Sequence, residues 1–438
     1  MKKLVKTLSQ YMPRYYIWTI GCQMNKAESQ QIADYLEMFG YQSTQTLQYA
    51  DLIVLNTCVV RQAAEDKVLG TLGYLKGIKR NSPSLAIVVT GCFVDSNIER
   101  LKSNFPYVDL FFKPGDYSQL LSWAEKHGVL LPDAKPAPPL ATRTSVTAFI
   151  PIIQGCNNFC SYCIVPYRRG REKSRPITEI VCEVDRLVAR GTKEVTLLGQ
   201  NVNSYGHDLS QRTDLSELLA QLSGIGELVR IRFLTSHPKD VDLKFIKTIA
   251  SLDKVCKHFS LPLQSGDNDI LKLMGRGYTI EQYLQLIHTI RSYIPGVSLS
   301  TDVIVGFPGE RDEQFDHTLS ILEEVKFDTV HVAAFSPRPG TIAAREYQDN
   351  IPPRVKKERL NKVEALQARI AGEISSRFIG KTVEVLVEGK KGGKWYGRTR
   401  GDKLTFFHSE TNCFGKLVSV AITKVSPWAL QGEMTGVK

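Results

Sequence analysis

The chain has 438 residues, 42% hydrophobic and 23% charged, which suits a globular protein of about three domains and excludes wholesale disorder, collagen-like repeats and low-complexity architecture. No apolar run reaches the roughly 18 residues of a membrane helix, and the basic start Met1–Tyr16 lacks an apolar core, so no secretory signal and no membrane partner are expected and a cytoplasmic location is. A net charge of +11 and a pI near 9.1 leave two readings, solubility alone or a polyanionic partner whose counterions Lys and Arg displace.

In chain order, a first block over residues 14–130 alternates short apolar runs (Tyr15–Ile20, Asp51–Asn56, Leu85–Thr90, Val108–Phe112) with amphipathic stretches such as Lys26–Phe39 and Arg61–Lys79. Nearly all-apolar strands between helices predict a parallel sheet covered on both faces, a doubly wound α/β domain. Residues 131–147, with Pro132, Pro136, Pro138 and Pro139, read as an extended linker.

The second block, residues 148–378, repeats this grammar. Strands are expected at Phe149–Ile153, Glu194–Leu198, Val229–Leu234, His258–Leu263, Ser298–Val305 and Thr329–Phe335. Six βα units fall short of the eight of a closed barrel and predict a partial (β/α)6 barrel, with a polar helix, about Pro353 to Phe378, leading out. The third block, 379–438, changes to period-two alternation, as in Thr382–Glu388, and predicts a small antiparallel β-barrel. Between Ile374 and Lys438, 11 Lys/Arg face 5 Asp/Glu, a net +6 of the total +11. That concentration favours a polyanion site at this end.

The chain has nine cysteines, and in a reducing compartment clustered thiols hold metal or do chemistry more often than they form disulfides. Cys156, Cys160 and Cys163 form C-x3-C-x2-C directly after the first barrel strand, where such folds carry their sites. Three thiolates suit three corners of a cubane iron–sulfur cluster with one iron left open. A structural zinc site would need a fourth ligand, and the next histidine downstream is His207. Cys22, Cys58 and Cys92 recur at intervals of 36 and 34 residues, each just past the end of an expected strand, where an open α/β sheet forms its ligand crevice. They suggest a second three-cysteine cluster. Cys182, Cys256 and Cys413 are read as structural.

Leu198-Gly-Gln-Asn-Val-Asn-Ser-Tyr205 places the amides of Gln200 and Asn201 at a strand end, and Thr301–Glu310 ends the fifth barrel strand with Gly306 and Glu310. Both segments suit cofactor contacts, and both also suit an ordinary strand-to-helix turn. His237, at another strand end, is equally well a structural histidine. The loop with Arg168 and Arg169 is strongly basic, and its place beside the expected active site favours phosphate contacts, to RNA, or cofactor contacts, with a solvated loop as the plain alternative. Lys394, Trp395, Tyr396, Arg398, Arg400 and Lys403 interleave cations with aromatics, able to track phosphates and stack on bases; a solvated barrel surface is the plain alternative.

The C-x3-C-x2-C motif on a six-unit partial barrel resembles the radical S-adenosylmethionine superfamily. Two cysteine trios in this order, with Asn-Thr-Cys58, Tyr-Cys163-Ile-Val-Pro-Tyr, Thr-Ser-His237-Pro and Gly-Arg-Thr-Arg400, resemble the methylthiotransferase family, and within it the MiaB-type tRNA enzymes, across about residues 14 to 435. The last block resembles the family's RNA-binding TRAM domain. Arg168-Arg169 departs from the Thr-Arg frequent in relatives. The resemblance implies two [4Fe–4S] clusters, one on each trio, opening onto a shared cavity. It implies S-adenosylmethionine at the second, with the strand-five segment near the adenine, and a flavodoxin or ferredoxin as reductant. The implied reaction methylthiolates C2 of N6-isopentenyladenosine at position 37, beside the anticodon, so the tRNA anticodon stem-loop is the implied partner. Rival readings are a methylthiotransferase acting on threonylcarbamoyladenosine or on a ribosomal-protein aspartate, and a non-enzymatic iron–sulfur RNA-binding redox sensor.

Overall fold

The apolar run Leu52-Ile-Val-Leu becomes a strand whose every residue is buried, as a run without a polar face requires. It lies in a computed structural model that describes residues 12–95, 97–126 and 145–438 and divides into two compact units, Met1–Arg143 with Tyr167–Gly170, and Thr144–Pro166 with Arg171–Lys438. The expected linker falls mostly outside the described residues.

In the first unit, β1 (Arg14–Thr19), β2 (Gln42–Ser43), β3 (Leu52–Thr57), β4 (Ala86–Gly91) and β5 (Leu110–Phe111) form a parallel sheet in the order β2-β1-β3-β4-β5. Ile32 and Leu36 of helix Gln23–Met38 pack with Tyr15, Leu52, Val54 and Val88 on one face. Trp18 points to the other face, where its ring lies 6.5 Å from that of Tyr74 in helix Gln62–Asn81. The doubly wound arrangement expected from the alternating pattern is therefore present. The reversal of strand order between β1 and β3 creates the crevice at which such sheets bind ligands. The two-residue strand β2 is too short for any period to announce it.

In the second unit, β6 (Thr147–Pro151) begins the barrel. The short strands β7 (Ile153–Gln154) and β8 (Lys173–Ser174) then pair as an antiparallel ribbon. The barrel continues through β9 (Glu194–Leu198), β10 (Arg230–Phe233), β11 (His258–Ser260), β12 (Ser298–Val305) and β13 (Thr329–Ala334), as two parallel sheets, β6-β9-β10 and β11-β12-β13. Ile231 N–H to Lys254 O and Cys256 N–H to Ile231 O, each 2.8 Å, join the halves, leaving β6 and β13 as open edges. This is the expected partial barrel. The helix Pro353–Ser376 does not simply lead out. It lies along β13, with Lys356 Nζ donating to Phe335 O (3.1 Å) and Gln367 Nε2 to Phe327 O (3.1 Å). Its polar side chains are spent on barrel carbonyls, which hides an apolar stripe from sequence inspection.

The chain ends in β14 (Thr382–Lys391), β15 (Lys394–Arg398), β16 (Leu404–His408), β17 (Leu417–Val425) and β18 (Leu430–Val437), a closed barrel in the order β14-β15-β16-β18-β17. Val385, Val387, Phe407, Val418, Val420 and Leu430 fill it. The expectation of a wholly antiparallel barrel is corrected at one seam: β16 and β18 run parallel, because β18 turns back from β17 and closes beside β16.

Arg230 and Arg232, on one face of β10, fasten this barrel to the core of the unit. Arg230 donates to Arg398 O (2.7 Å) and pairs with Glu384 (3.0 Å), while Arg232 donates to Thr399 O (2.6 Å) and pairs with Glu194 (2.8 Å). Arg230 is fully buried, so Arg230→Ala, which strands its carboxylate partners, is expected to cost about 3–5 kcal/mol, read from the denaturant midpoint. Burial alone would raise the Glu384 carboxyl, but Lys438, Arg230 and Arg400 hold it down at about 2, against an ordinary 4.5. A depressed carboxyl stabilises fully above its unfolded value. The contribution to barrel docking is therefore expected to be flat above about pH 4.5 and lost as pH falls towards 2, checked by acid titration of wild type against Glu384→Gln.

Candidate metal centres and cofactor site

Cys22, Cys58 and Cys92 follow β1, β3 and β4, three adjacent strands. The register pairs Thr19 with Asn56 and Thr57 with Gly91, which sets Cys58 and Cys92 side by side, Cys92 N–H donating to Thr57 O at 2.8 Å. Two glycines permit this convergence. A Cβ on Gly21 (φ +142°) would lie 2.7 Å from Cys58 Cβ, and one on Gly91 (φ +92°) 2.2 Å from Thr57 O. Gly91→Ala is expected to cost about 2–5 kcal/mol through backbone strain and overpacking, and to lower bound iron after reconstitution.

Asn25 ties the loops together. Its Oδ1 accepts from Cys22 N–H (3.3 Å), and its Nδ2 donates to Asn56 Oδ1 (2.9 Å) and Thr57 O (3.0 Å). Burial pushes the Cys58 thiol up to about 12, with Cys92 adding to the effect, and burial likewise raises Cys92. Metal ligation needs the thiolate, so a metal bound here would displace these thiol protons.

Arg169, expected on a nucleic-acid-facing loop, lies inside the first unit. Its side chain is 2% exposed and forms a two-pronged ion pair with Glu28 (Nη2–Oε2 3.2 Å). It lies within hydrogen-bonding reach of Cys92. Arg168 pairs with Asp95 at 3.1 Å.

The second trio sits on a loop anchored from several sides. Gly155 N–H donates to Gln200 Oε1 (2.6 Å), Ser161 N–H to Met274 O (2.9 Å) and Cys163 N–H to Cys160 O (2.9 Å). Phe159 takes a left-handed conformation (φ +47°) that folds the chain between Cys156 and Cys160, with the Arg171 guanidinium 4.3 Å from its ring. Arg276 Nη1 donates to Cys160 Sγ at 3.3 Å. Burial, then the neighbouring Cys160, pushes Cys163 up to about 12. Among the described residues no three His, Cys, Asp or Glu side chains close on a single point as one metal ion demands. A trio spread along one loop suits a cluster, in which each thiolate takes a different iron, better than a four-ligand zinc ion. Cys256 and Cys413 are buried and Cys182 is exposed, each apart from either trio in sequence.

At the strand ends, the predicted cofactor residues shape the loops. Glu310 is 2% exposed, accepts from Gly306 N–H (2.6 Å) and pairs with Arg359 (2.7 Å). Asn201 Nδ2 donates to Ser204 Oγ (2.6 Å) and Asp240 Oδ2 (2.7 Å). Sequence reasoning missed a second feature. Among the described residues, Asn201 Oδ1, Asn203 Oδ1, Ser236 Oγ, His237 Nε2 and Gln264 Oε1 are buried without partners, all just past β9, β10 or β11. Thr235 (φ +68°) and Gln264 (φ +70°) are non-glycine residues in left-handed conformations at the same ends. Unpaired buried polar atoms and strained backbone together are features that functional sites carry. Burial, with Arg276 and Lys239, pushes the His237 imidazole down to about 2, so it stays neutral there.

Of the expected RNA contacts, Arg400 pairs with Glu384 (3.2 Å), Lys403 is buried on Asp328 (3.0 Å) and Arg398 pairs with Asp402 (3.2 Å). Trp395 faces the barrel core, its Nε1 donating to Ser409 O at 3.1 Å. Lys394 and Tyr396 are half-exposed on the β14–β15 hairpin, beside the exposed Lys390 and Lys391.

Residues 150–322 match the Radical SAM superfamily, residues 14–113 the Uncharacterized protein family UPF0004, and residues 376–435 the TRAM domain. The chain is 48% identical to tRNA-2-methylthio-N(6)-dimethylallyladenosine synthase of Dehalococcoides mccartyi (strain CBDB1), covering 97% of this chain and 99% of that protein. Against the protein of the same name from Dictyoglomus thermophilum the identity is 47%, covering 97% and 99%. Among solved structures, the radical S-adenosylmethionine methyltransferase TsrM from Kitasatospora setae superposes with a TM-score of 0.57 at 15% identity, over 76% of this chain and 75% of that one. The cobalamin-dependent S-adenosylmethionine radical enzyme OxsB gives 0.52 at 13%, over 83% and 57%; at such identities the likeness concerns the fold alone.

A partial barrel with C-x3-C-x2-C behind its first strand, matched by that superfamily, defines a radical S-adenosylmethionine enzyme, a class that implies S-adenosylmethionine and a [4Fe–4S] cluster. More narrowly, the chain belongs to the methylthiotransferase family of the tRNA-2-methylthio-N(6)-dimethylallyladenosine synthases. The TRAM match and the naming of these relatives imply a tRNA substrate, and among the described residues no helix is long and apolar enough to cross a membrane.

Proposed function

We propose that this enzyme methylthiolates C2 of N6-isopentenyladenosine at tRNA position 37, in the anticodon stem-loop, using two [4Fe–4S] clusters. The observation that carries the reading is the presence of two cysteine trios in one chain, one at the ends of three adjacent strands of the first sheet and the other on the single loop that follows the first barrel strand. In this reading the division of labour follows residues 14–130, 148–378 and 379–438, joined by 131–147. Cys22, Cys58 and Cys92 would hold the auxiliary cluster, and Cys156, Cys160 and Cys163 the radical cluster.

A cluster held by Cys156, Cys160 and Cys163, with S-adenosylmethionine and an electron from a flavodoxin or ferredoxin of the cytoplasm, would supply 5′-deoxyadenosyl radical chemistry, which an unacidic C2–H requires and side chains lack. The protein's share is placement. Gln200 holds the Gly155 amide and so fixes the start of the cysteine loop. Glu310 holds the Gly306 amide and so fixes the strand-five turn, where S-adenosylmethionine would lie. The unpaired Asn201, His237 and Gln264 atoms offer hydrogen bonds to a polar ligand, and neutral His237 brings no competing charge. Lys394 and Tyr396, with Lys390 and Lys391, present the cation–aromatic surface left for RNA.

Nucleoside mass spectrometry of tRNA from cells with and without the gene tests the substrate. Loss of 2-methylthio-N6-isopentenyladenosine supports the reading, and loss of the threonylcarbamoyl derivative instead overturns it. Anaerobic reconstitution should yield about eight irons per chain rather than four. Lys390→Ala with Lys394→Ala is expected to weaken tRNA binding about 5- to 30-fold and to flatten its salt dependence by about two units of slope, measured by filter binding across a salt series.

A further inference from the structure

Each cysteine trio has one buried arginine against it, and the two arginines differ in what else they touch. In the first unit, Arg169 lies within hydrogen-bonding reach of Cys92 while both prongs of its guanidinium engage the Glu28 carboxylate. In the second unit, Arg276 Nη1 donates to Cys160 Sγ at 3.3 Å, its Nη2 to Pro262 O at 3.0 Å and its Nε to Tyr278 Oη at 3.1 Å. Arg276 is 4% exposed, and among the described residues it forms no ion pair with a carboxylate. Its conformation is built in, since Gly275 (φ +68°) and Gly277 (φ +69°) flank it in left-handed turns and Tyr278 Oη is itself fixed by donating to Leu263 O at 2.8 Å.

We infer that these arginines tune the two metal centres in opposite senses: Arg276 places an uncompensated positive charge and a sulfur hydrogen bond on the centre at Cys160, whereas Glu28 cancels the charge that Arg169 brings to the centre at Cys92. Charge acts strongly where water is excluded, and the potential of an iron–sulfur cluster follows local net charge and hydrogen bonds to its sulfurs. A positive charge favours the more reduced, more negative cluster. The centre at Cys160, which must accept an electron, is thereby held easier to reduce than its cysteine ligands alone would leave it. The carboxylate beside Arg169 withholds the same help from the other centre. Arg169 and Arg276 are tuning residues here, not catalytic ones.

The inference rests on the two-cluster reading, and the test keeps the two apart. Iron and sulfide are counted first, and about four irons in place of eight would overturn the reading itself. Potentials are then measured by redox titration followed by electron paramagnetic resonance, each centre observed in the full-length chain whose other trio is changed to alanine. Arg276→Gln should shift the centre at Cys160 to lower potential, and Arg276→Lys, which keeps the charge, should recover most of the shift. Glu28→Gln should shift the centre at Cys92 upward. The double variant Glu28→Gln, Arg169→Gln removes both charges, avoids a stranded buried ion, and should return close to wild type. Unchanged potentials with clusters fully loaded, or a lysine variant no closer to wild type than the glutamine one, would overturn the inference.

Discussion

With Cys156, Cys160 and Cys163 changed to alanine, formation of 5′-deoxyadenosine from S-adenosylmethionine under dithionite is expected to fall at least about 1,000-fold, equivalent to about 4 kcal/mol of barrier. No neighbouring group can substitute. The loop offers Asn157, Asn158 and Ser161, whose oxygens are poor iron ligands, and Ser161 Oγ is already bound to Leu273 O at 2.8 Å. Chromatography of the reaction mixture reads the result directly, and persistence of the product would mean that the radical centre lies elsewhere. Iron should drop by about half in the same sample, since the other trio is untouched.

The complementary variant separates the two chemistries. Changing Cys22, Cys58 and Cys92 to alanine is expected to leave cleavage of S-adenosylmethionine within about threefold of wild type while methylthio-tRNA falls below detection, a loss of at least about 1,000-fold. The three cysteines end strands of a separate sheet, and their substitution leaves the hydrogen bonds of the Cys156–Cys163 loop in place. Asn25 and Asn56 bond to each other and to backbone as well as to Cys22, so the crevice keeps its frame without the thiols. Quantifying 5′-deoxyadenosine and modified nucleoside in one reaction gives both numbers. Equal loss of the two products would show that the first trio serves the radical step itself.

Much of this was legible in the residues. The α/β alternation of the first block reports a sheet buried on both faces because covered strands cannot afford a polar side. Six such units, without a seventh and eighth, leave a barrel open. The placement of Cys22, Cys58 and Cys92 past the ends of three strands was legible too, because strand ends show in the apolar pattern, whereas Cys182, Cys256 and Cys413 share no such common place.

The surroundings of individual cations were not legible, because charge in a sequence says nothing about what it faces. Arg169, Arg400 and Lys403 look alike in a list of cations. Folding buries Arg169 with Glu28, 141 residues away, and Lys403 with Asp328. Glu28 carries no local signal, being one acidic residue on an amphipathic helix. Arg276 could have drawn notice through its flanking glycines in Met274-Gly-Arg-Gly-Tyr278, which free the backbone to present one side chain in a fixed direction.

The order of residues alone determined the kinds of domain, the two cysteine trios and the class of chemistry, because periodicity and spacing are local properties that survive without coordinates. Only the tertiary structure decided which arginine meets which thiol, which cations stay exposed, and which polar atoms at the ends of β9, β10 and β11 lack partners among the described residues. Those facts depend on groups distant in the chain sharing a water-poor interior, where pairing and exposure, rather than residue type, set what a charge can do.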